Sequence, residues 1–408
     1  MARREHIVGL DIGSGTVRVV VAERKNGDGL AILGAAEAPV DGVRKGAVIA
    51  PDQTARSIQK ALHELKKNHA LEIDHAYVSL VDQRMAMLLS RGTISVSRAD
   101  GEITREDVSR ALEASEASLP KLGNREIVHS FPLYFNVDGD TSIRDVVGLV
   151  GVKLEVETLF IAGFTQHLKN LLKAVESAGI SADDIIAAPY AASFHALTKR
   201  HKEVGSLLLD IGAQVSTLAV FEEGALISLE IIPVGSGHVT QDIGLGFQID
   251  LVTAEKVKRN LGIYLEQGKK EIRLADFPKN FEDTFSPKKL REIVSARLGD
   301  IFELVDKHLK RIQRSELLPA GVVLVGGGAR MFDIQSSARE ELHLPAEIGS
   351  GTAGLSGKKE LITGPEWATA VGLCKYAIDQ SHAGGRGGSF FSSPFSRRIA
   401  KLFKALIP

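Results

Sequence analysis

Short β-branched runs alternate with stripes of apolar residues at helical spacing, and this alternation predicts a mixed α and β chain. Ile7-Val-Gly-Leu-Asp11 is an apolar run ending in Asp11-Ile-Gly-Ser-Gly-Thr16, and β-branched residues resume over Val17 to Ala22. The chain therefore opens with a hairpin rather than a βαβ unit. Ala55, Ile58, Ala61, Leu62 and Leu65 recur at helical spacing between Thr54 and Lys67, with Pro51 and Asp52 as start signals, and Ala76 to Leu80 is strand-like. From about Arg84 to Ala162 the texture changes to a short strand (Gly92 to Val96), a helix (Thr104 to Ser115, with Glu106 and Asp107 in its first turn) and strands around Glu126 to Val137 and Leu154 to Ile161. That is the pattern of a small inserted α+β unit. Gln166 to Ala178 forms an amphipathic helix, and Ile185-Ile-Ala-Ala-Pro-Tyr190 leads into another.

The opening signature then returns. Leu207-Leu-Leu-Asp210-Ile-Gly212 is again an apolar strand ending in Asp-Ile-Gly, followed by strands over Ser216 to Phe221 and Ala225 to Pro233. The echo of Leu-Asp-Ile-Gly at 10 to 13 and 209 to 212 predicts two similar halves facing each other, the alternative being chance recurrence of an apolar tetrapeptide. Small residues in such turns let backbone N–H groups approach phosphate oxygens. Ser14 and Thr16 add hydroxyl donors, and Asp11 or Asp210 can hold Mg²⁺ directly or through water. Two facing hairpins would clamp a triphosphate from both sides. A third element, Gly321-Val-Val-Leu-Val-Gly326-Gly-Gly-Ala329, is a buried strand running into a glycine triplet before a helix over Ile334 to Glu341. Bare backbone at that turn admits a flat base or a ribose, although a plain tight connection reads the same way. Neither the dinucleotide fingerprint nor the P-loop spacing is present, so those two classes drop out.

Composition adds a boundary and one exception. A chain of 408 residues with 44% hydrophobic and 25% charged residues is an ordinary globular one of several lobes. Its single cysteine, Cys374, excludes an internal disulfide framework and a Cys-rich zinc site, which points to a reducing cytosol. Met1 to His6 offers no signal peptide, and no run is long and apolar enough to span a bilayer. The formal net charge of −1 gives no general reason to bind nucleic acid. It also hides a basic tail. Phe395, Ile399, Leu402, Phe403 and Leu406 form one apolar stripe, Arg397, Arg398, Lys401 and Lys404 occupy the rest, and no acid lies between 395 and 408. Behind a Gly- and Ser-rich tether, such a helix lies in the headgroup boundary, attracted to anionic lipid by about 1 kcal/mol per basic residue. A packed terminal helix or a partner-binding helix is the alternative.

The order of these elements, with a proline-containing helix start near Pro189 and a helix over Thr253 to Leu261, resembles the actin, Hsp70 and sugar-kinase superfamily. That resemblance implies ATP between two large lobes, held by Asp11, Gly13, Ser14, Gly15, Thr16, Asp210, Gly212, Ala213, Gly326, Gly327, Gly328 and Ala329, with Mg²⁺ at Asp11 and Asp210. It places Glu255, Lys258 and Arg259 at the adenosine, the alternative being a solvated helix face with an ion pair. Ser90-Arg-Gly92, Gly101-Glu-Ile-Thr-Arg-Glu-Asp-Val108, Asn124-Arg-Glu-Ile-Val-His129, Arg144-Asp-Val-Val-Gly148 and Val152-Lys-Leu-Glu-Val-Glu157 resemble the bacterial cell-division FtsA family. So do Pro233-Val-Gly-Ser-Gly-His-Val-Thr-Gln-Asp242, Ala254-Glu-Lys-Val-Lys258 and Leu317-Leu-Pro-Ala-Gly-Val-Val-Leu-Val-Gly-Gly-Gly328.

The family resemblance implies an actin-like (ribonuclease H-like) α/β fold of two lobes, with an inserted α+β subdomain and a C-terminal amphipathic helix. Subdomain 1A would comprise 1–83, 163–200 and 359–380, and 1C would be 84–162. Subdomain 2A would comprise 201–245 and 321–358, 2B would be 246–320, the linker 381–394 and the membrane helix 395–408. It further implies self-association into filaments and a peripheral place on the cytoplasmic side of the membrane at the septum. The C-terminal peptide of FtsZ would dock on 2B, where Lys288, Lys289, Arg291 and Arg297 form a basic surface.

Two departures bear on chemistry. The second turn reads Asp210-Ile-Gly-Ala-Gln-Val-Ser-Thr217, which places the Gln214 and Val215 side chains where relatives present bare glycine. Ala188 stands before Pro189, where relatives often carry Glu or Gln to orient the attacking water, so ATP binding with weak turnover is expected. A pilus-assembly actin homologue, which generally lacks the tail, a sugar kinase and an Hsp70-like ATPase remain the alternatives.

Overall fold

Two sheets built to one plan set the architecture. The computed structural model describes residues 6–25, 29–266, 272–273, 284–349, 351 and 354–383. The first sheet starts with the expected hairpin, β1 (Ile7–Ile12) and β2 (Thr16–Arg24), extended antiparallel by β3 (Leu30–Pro39). A tight pair, β4 (Val43–Arg44) and β5 (Ala47–Val48), leads into α1 (Pro51–His69) and then β6 (His75–Leu80), parallel to β1. Pro51 starts α1 at no cost, because the first N–H of a helix has no intrahelical acceptor. Ile58, Ala61 and Leu65 give the buried stripe that pins α1 to the sheet.

The insert contains β7 (Ala86–Ser95), α2 (Arg105–Ala117), β8 (Arg125–Val137), β9 (Asp140–Ile143) and β10 (Lys153–Phe164), in the antiparallel order β7-β10-β8-β9. Its first strand is longer than the predicted Gly92 to Val96, because β7 pairs with β10 from Ala86 to Ser95. α2 crosses β7 at Gly92, where a Cβ would come within 2.1 Å of the Ala111 carbonyl oxygen. Thr104 and Asp107 close a capping box at its start. Burial acts to raise the Asp107 carboxyl, and hydrogen bonds from Thr104, Arg110 and Ser97 outweigh it and hold it well below the usual carboxylate range.

The chain returns to the first lobe through α3 (Thr165–Ser177), β11 (Ser181–Ala187, parallel to β6), α4 (Ala188–Ala196) and the short α5 (Lys199–Val204). At that junction the buried His129 ring of β8 accepts the Ala187 N–H on Nε2 at 3.0 Å, and burial pushes its pKa down to about 3. The second lobe repeats the opening with β12 (Ser206–Ile211), β13 (Ser216–Glu222) and β14 (Ala225–Ile232). Helices α6 (Ser236–Phe247), α7 (Leu251–Arg259) and α8 (Leu261–Glu266) follow, then the small pair β15 (Ile272–Arg273) and β16 (Thr284–Phe285) and the long α9 (Pro287–Arg311). The lobe is completed by β17 (Val322–Val325), a 3₁₀ turn over Gly327–Arg330, α10 (Ile334–Leu342) and β18 (Ala346–Ile348).

Leaving aside one late edge strand, the strand orders are β3-β2-β1-β6-β11 and β14-β13-β12-β17-β18, each an antiparallel meander whose first strand pairs in parallel with a later strand that in turn pairs with a second. The sequence echo is therefore a structural repeat, with Asp11 and Asp210 at equivalent strand ends. One boundary moves. The segment expected to stay with the second lobe through residue 358 has already returned to the first by β19 (Leu355–Gly357), which pairs in parallel with β3. α11 (Ala368–Ala383) then packs on β1 and α4, with Ala370, Val371, Leu373 and Cys374 buried. It extends into the stretch read as the start of the tether. The remainder of that tether and the expected membrane helix, Phe395 to Leu406, lie outside the described residues. No described helix is long and apolar enough to cross a membrane.

Candidate nucleotide site

The two Asp-Ile-Gly turns line one cavity of about 780 Å³ between the lobes. Asp11, Gly13, Ser14, Gly15 and Thr16 wall it from the first lobe, and Asp210, Gly212 and Ala213 from the second. The turns approach closely: a Cβ on Gly15 would lie 2.9 Å from that of Ala213. The third glycine element completes the wall. Gly326, at φ +83°, brings bare backbone against the second carboxylate, since a Cβ there would sit 2.1 Å from Asp210 Oδ1. Gly327 also lines the cavity, whereas Gly328 packs on Ile211 and Ala329 belongs to the core of the second lobe. Those two shape the turn from behind.

Asp11 is buried, accepts the Ser79 hydroxyl at 2.7 Å, and faces Arg18 across the hairpin register. Burial raises its pKa against the pull of Ser79 and Arg18. Asp210 is surrounded by both lobes although part of its surface borders the cavity. Desolvation, then the nearby Asp11 charge, push it up to about 7, against weaker pulls from Arg18 and the Thr369 hydroxyl at 3.4 Å. Two carboxylates that resist ionising together form a site for either a proton or a cation. Among the described residues no group of three or more metal-binding side chains occurs. One or two carboxylates nevertheless suffice for Mg²⁺, which keeps waters and takes phosphate oxygens as its other ligands.

Helix α6, which the apolar pattern did not reveal, starts directly behind the second turn. The Ser236 and Gly237 N–H groups donate to the Gly212 and Ala213 carbonyls, both at 2.8 Å, and a Cβ on Gly235 would meet the Gly212 oxygen at 2.5 Å. The first N–H groups of the helix thus brace the carbonyls of the second turn. On α7, Glu255 and Lys258 pair at 2.7 Å and Arg259 reaches the other Glu255 oxygen at 2.8 Å. Lys258 is buried and also donates to the Ser236 carbonyl at 3.0 Å and the Thr240 hydroxyl at 2.8 Å. Burial opposes ionisation of Glu255, but Lys258, Thr240 and Arg259 carry it down to about 2. These three residues form a linked network on the cavity wall, in which Lys258 is buried and Arg259 is exposed.

The residues expected to give the second turn trouble behave differently from each other. Gln214 is turned out of the cavity and accepts the Lys45 N–H at 2.8 Å, while Val215 does line the cavity and is packed into a core shared by both lobes and the insert. Ala188 does line the cavity and presents only a methyl group to it. The wall also holds Arg18, Glu37, Thr217, Ser236, Arg330, Met331, Glu366 and Thr369, which sequence reasoning missed. Arg18 and Thr217 were within reach, because counting across each hairpin pairs them with Asp11 and Asp210. Glu366 and Thr369 were not. They arrive from the far end of the chain, Glu366 held by an Arg330 fork at 2.7 and 2.6 Å.

The basic residues of α9 lie elsewhere and are largely engaged. Arg297 forks onto Asp242 at 2.7 and 3.0 Å and also reaches Asp300 at 2.9 Å, and Arg291 meets Asp333 at 2.8 Å. Lys289 donates to the Gly246 carbonyl at 3.3 Å with its ammonium 5.2 Å from the Phe247 ring centroid, and Lys288 is exposed.

The coupled acids give a pH signature. A carboxyl raised in the folded state contributes stability that is present below about pH 4 and lost as pH rises through about 7. Without nucleotide or metal, Asp210→Asn should therefore be more stable than wild type at pH 8, by up to about 4 kcal/mol, with the difference falling away by pH 4. Thermal unfolding in EDTA across that range checks it, and a constant difference would remove the coupling.

The profile of the family described as "Cell division protein FtsA" matches residues 207–372, and that of the "SHS2 domain inserted in FTSA" matches residues 83–162, the β7 to β10 unit. The chain is 35% identical over 390 residues to the cell division protein FtsA of Bacillus subtilis, covering 95% of this chain and 86% of the relative. It is 29% identical over 394 residues to that of Pseudomonas aeruginosa, covering 96% and 93%. Among solved structures it is similar to the PilM-PilN type IV pilus biogenesis complex, with TM-score 0.67 at 19% identity over 92% of this chain and 99% of that one. It is also similar to MreB5 of Spiroplasma citri bound to AMPPNP, with TM-score 0.53 at 15% identity over 94% and 100%. Those likenesses establish the two-lobed actin-like fold. With the insert in its place and relatives matching nearly end to end, the chain belongs to the FtsA family of bacterial cell-division proteins.

Proposed function

We propose that this protein binds ATP with Mg²⁺ in the interlobe cavity, assembles end to end, and tethers FtsZ filaments to the cytoplasmic face of the membrane at the division septum. The observation that carries the nucleotide part is the pair of repeated turns, each with a carboxylate, converging on one cavity. Asp11 and Asp210 would hold the metal, and Mg²⁺ there would neutralise the charge gathered between phosphates and carboxylates. Backbone N–H groups of the two turns and the Ser14 and Thr16 hydroxyls would orient the phosphates. The linked Glu255, Lys258 and Arg259 and the bare Gly326-Gly327 backbone would border the nucleoside.

Turnover should be slow for a local reason. An attacking water is positioned by a side chain that can hydrogen-bond it, and Ala188 offers a methyl group on that wall. The wild type should hydrolyse ATP more slowly than about 1 per second, and Ala188→Gln should raise the rate by about tenfold. Phosphate release from purified protein measures both. An unchanged rate in the variant would show that position 188 is not where water is oriented.

For the partner, α9 and the end of α6 supply the complementary chemistry. Leu245, Leu251 and Val252 are exposed at the end of α6 and the start of α7, and the Lys289 ammonium of α9 lies over the Phe247 ring. An acidic peptide with apolar side chains fits such a patch. At Arg297 it would have to compete with Asp242. The sequence of 395–408 supports the anchor, and the subdomain boundaries set out above, with β19 reassigned to the first lobe, are part of the same reading.

The tether requires both ends at once, and this defines its test. FtsZ filaments should sediment with anionic vesicles in the presence of the full chain, and should stay behind with a chain ending at Ala383. FtsZ recruitment by the shortened chain would place the membrane contact elsewhere.

A further inference from the structure

The departure at Gln214 has a structural counterpart that the nucleotide reading does not use. The short strap formed by β4 and β5 turns at Lys45 and Gly46, both in the left-handed region at φ +47° and +85°. Its two consecutive amides engage opposite lobes. The Gly46 N–H donates to Ser14 Oγ in the first turn at 2.9 Å, and the Lys45 N–H donates to Gln214 Oε1 in the second turn at 2.8 Å. We propose that Gln214 is a positioning residue that clasps the second lobe to this strap and slows nucleotide release. This rests on the nucleotide reading of the cavity.

The strap belongs mechanically to the first lobe. Val43 and Val48 are buried in that lobe's core, and Gly46 is wedged so tightly that a Cβ would come 2.4 Å from Val81 Cγ1. Val81 itself lines the nucleotide cavity. Separation of the lobes must therefore break the Lys45 bond to Gln214 and can leave the Gly46 bond to Ser14 intact. Gln214 borders a second cavity of about 610 Å³ with Arg44, Lys45, His238 and Gln241, so the clasp crosses open space rather than a packed interface. Ala213 walls both cavities, which puts the clasp one residue from the phosphate side. Ser14 also connects the two. Its oxygen accepts from Gly46, leaving its own proton for an acceptor in the cavity, so a bound phosphate would fix the hydroxyl that supports the strap.

Removing one acceptor for a backbone amide corresponds to about a three- to tenfold effect. Release of a fluorescent ATP analogue from the full chain, followed by stopped flow with excess ATP and Mg²⁺, should be faster by that factor in Gln214→Leu. In Gln214→Glu, whose carboxylate still accepts the Lys45 N–H, it should stay within about twofold of wild type. Residue-resolved hydrogen exchange gives a second readout on the wild type itself. The Lys45 amide should gain protection when ATP and Mg²⁺ bind and lose that gain in Gln214→Leu, while the Gly46 amide keeps its protection in both. Equal release rates with nucleotide still binding, or a Lys45 amide indifferent to nucleotide, would overturn the clasp alone. Failure of wild type to bind the analogue would overturn the nucleotide reading and the clasp with it.

Discussion

The structure is organised around two like charges forced close to one another. Asp11 and Asp210 stand at equivalent ends of duplicated strands, so folding the two lobes together desolvates both carboxylates and sets Asp210 in the field of Asp11. Ser79, Arg18 and Thr369 offset part of this cost but not all of it, and Asp210 remains raised. Proteins keep such arrangements where a ligand relieves them. The glycines follow from the same constraint: Gly326 exists to let backbone reach Asp210, and Gly15 to let the two turns meet.

The insert is not an appendage to this arrangement. Phe131, Leu159 and Ile161 of the insert share one buried core with Ala187 and Ala192 of the first lobe and with Val215, Leu229 and Val325 of the second. Two polar ties run alongside: the Leu229 N–H donates to Met87 Sδ at 2.8 Å, and Arg144 pairs with Glu223 at 3.0 Å. Val215 therefore fixes the second turn into packing that also holds the insert. A change of lobe angle at the cavity would have to be absorbed by that core, and interiors packed this way yield in discrete steps rather than continuously.

Much of this was legible in the sequence because it depends on local pattern. The hairpins, α1, α3 and the strands of the insert declared themselves through period and glycine turns, and the Asp-Ile-Gly echo declared the repeat. The misses share a physical cause. Helix α6 has Gly235, Gly237, Gly244 and Gly246 in or beside it, so its start looks like loop until tertiary packing against the second turn fixes it. Strand β7 starts six residues before the predicted Gly92, because its pairing with β10 runs from Ala86 to Ser95. Glu366 and Thr369 reach the cavity only because β19 and α11 return to the first lobe, which no local signal reports. Gln214 looked like an obstruction from its position in the turn, since only the fold shows which way a side chain leaves a turn.

The central claim is that the paired carboxylates are built to share a cation with a bound triphosphate. The most direct measurement is calorimetric titration of the full chain with ATP at pH 8, once with Mg²⁺ and once with EDTA. Binding should be at least about tenfold tighter with the metal, because a triphosphate alone would add negative charge to a site that already resists ionising. Equal or tighter binding in EDTA would contradict it.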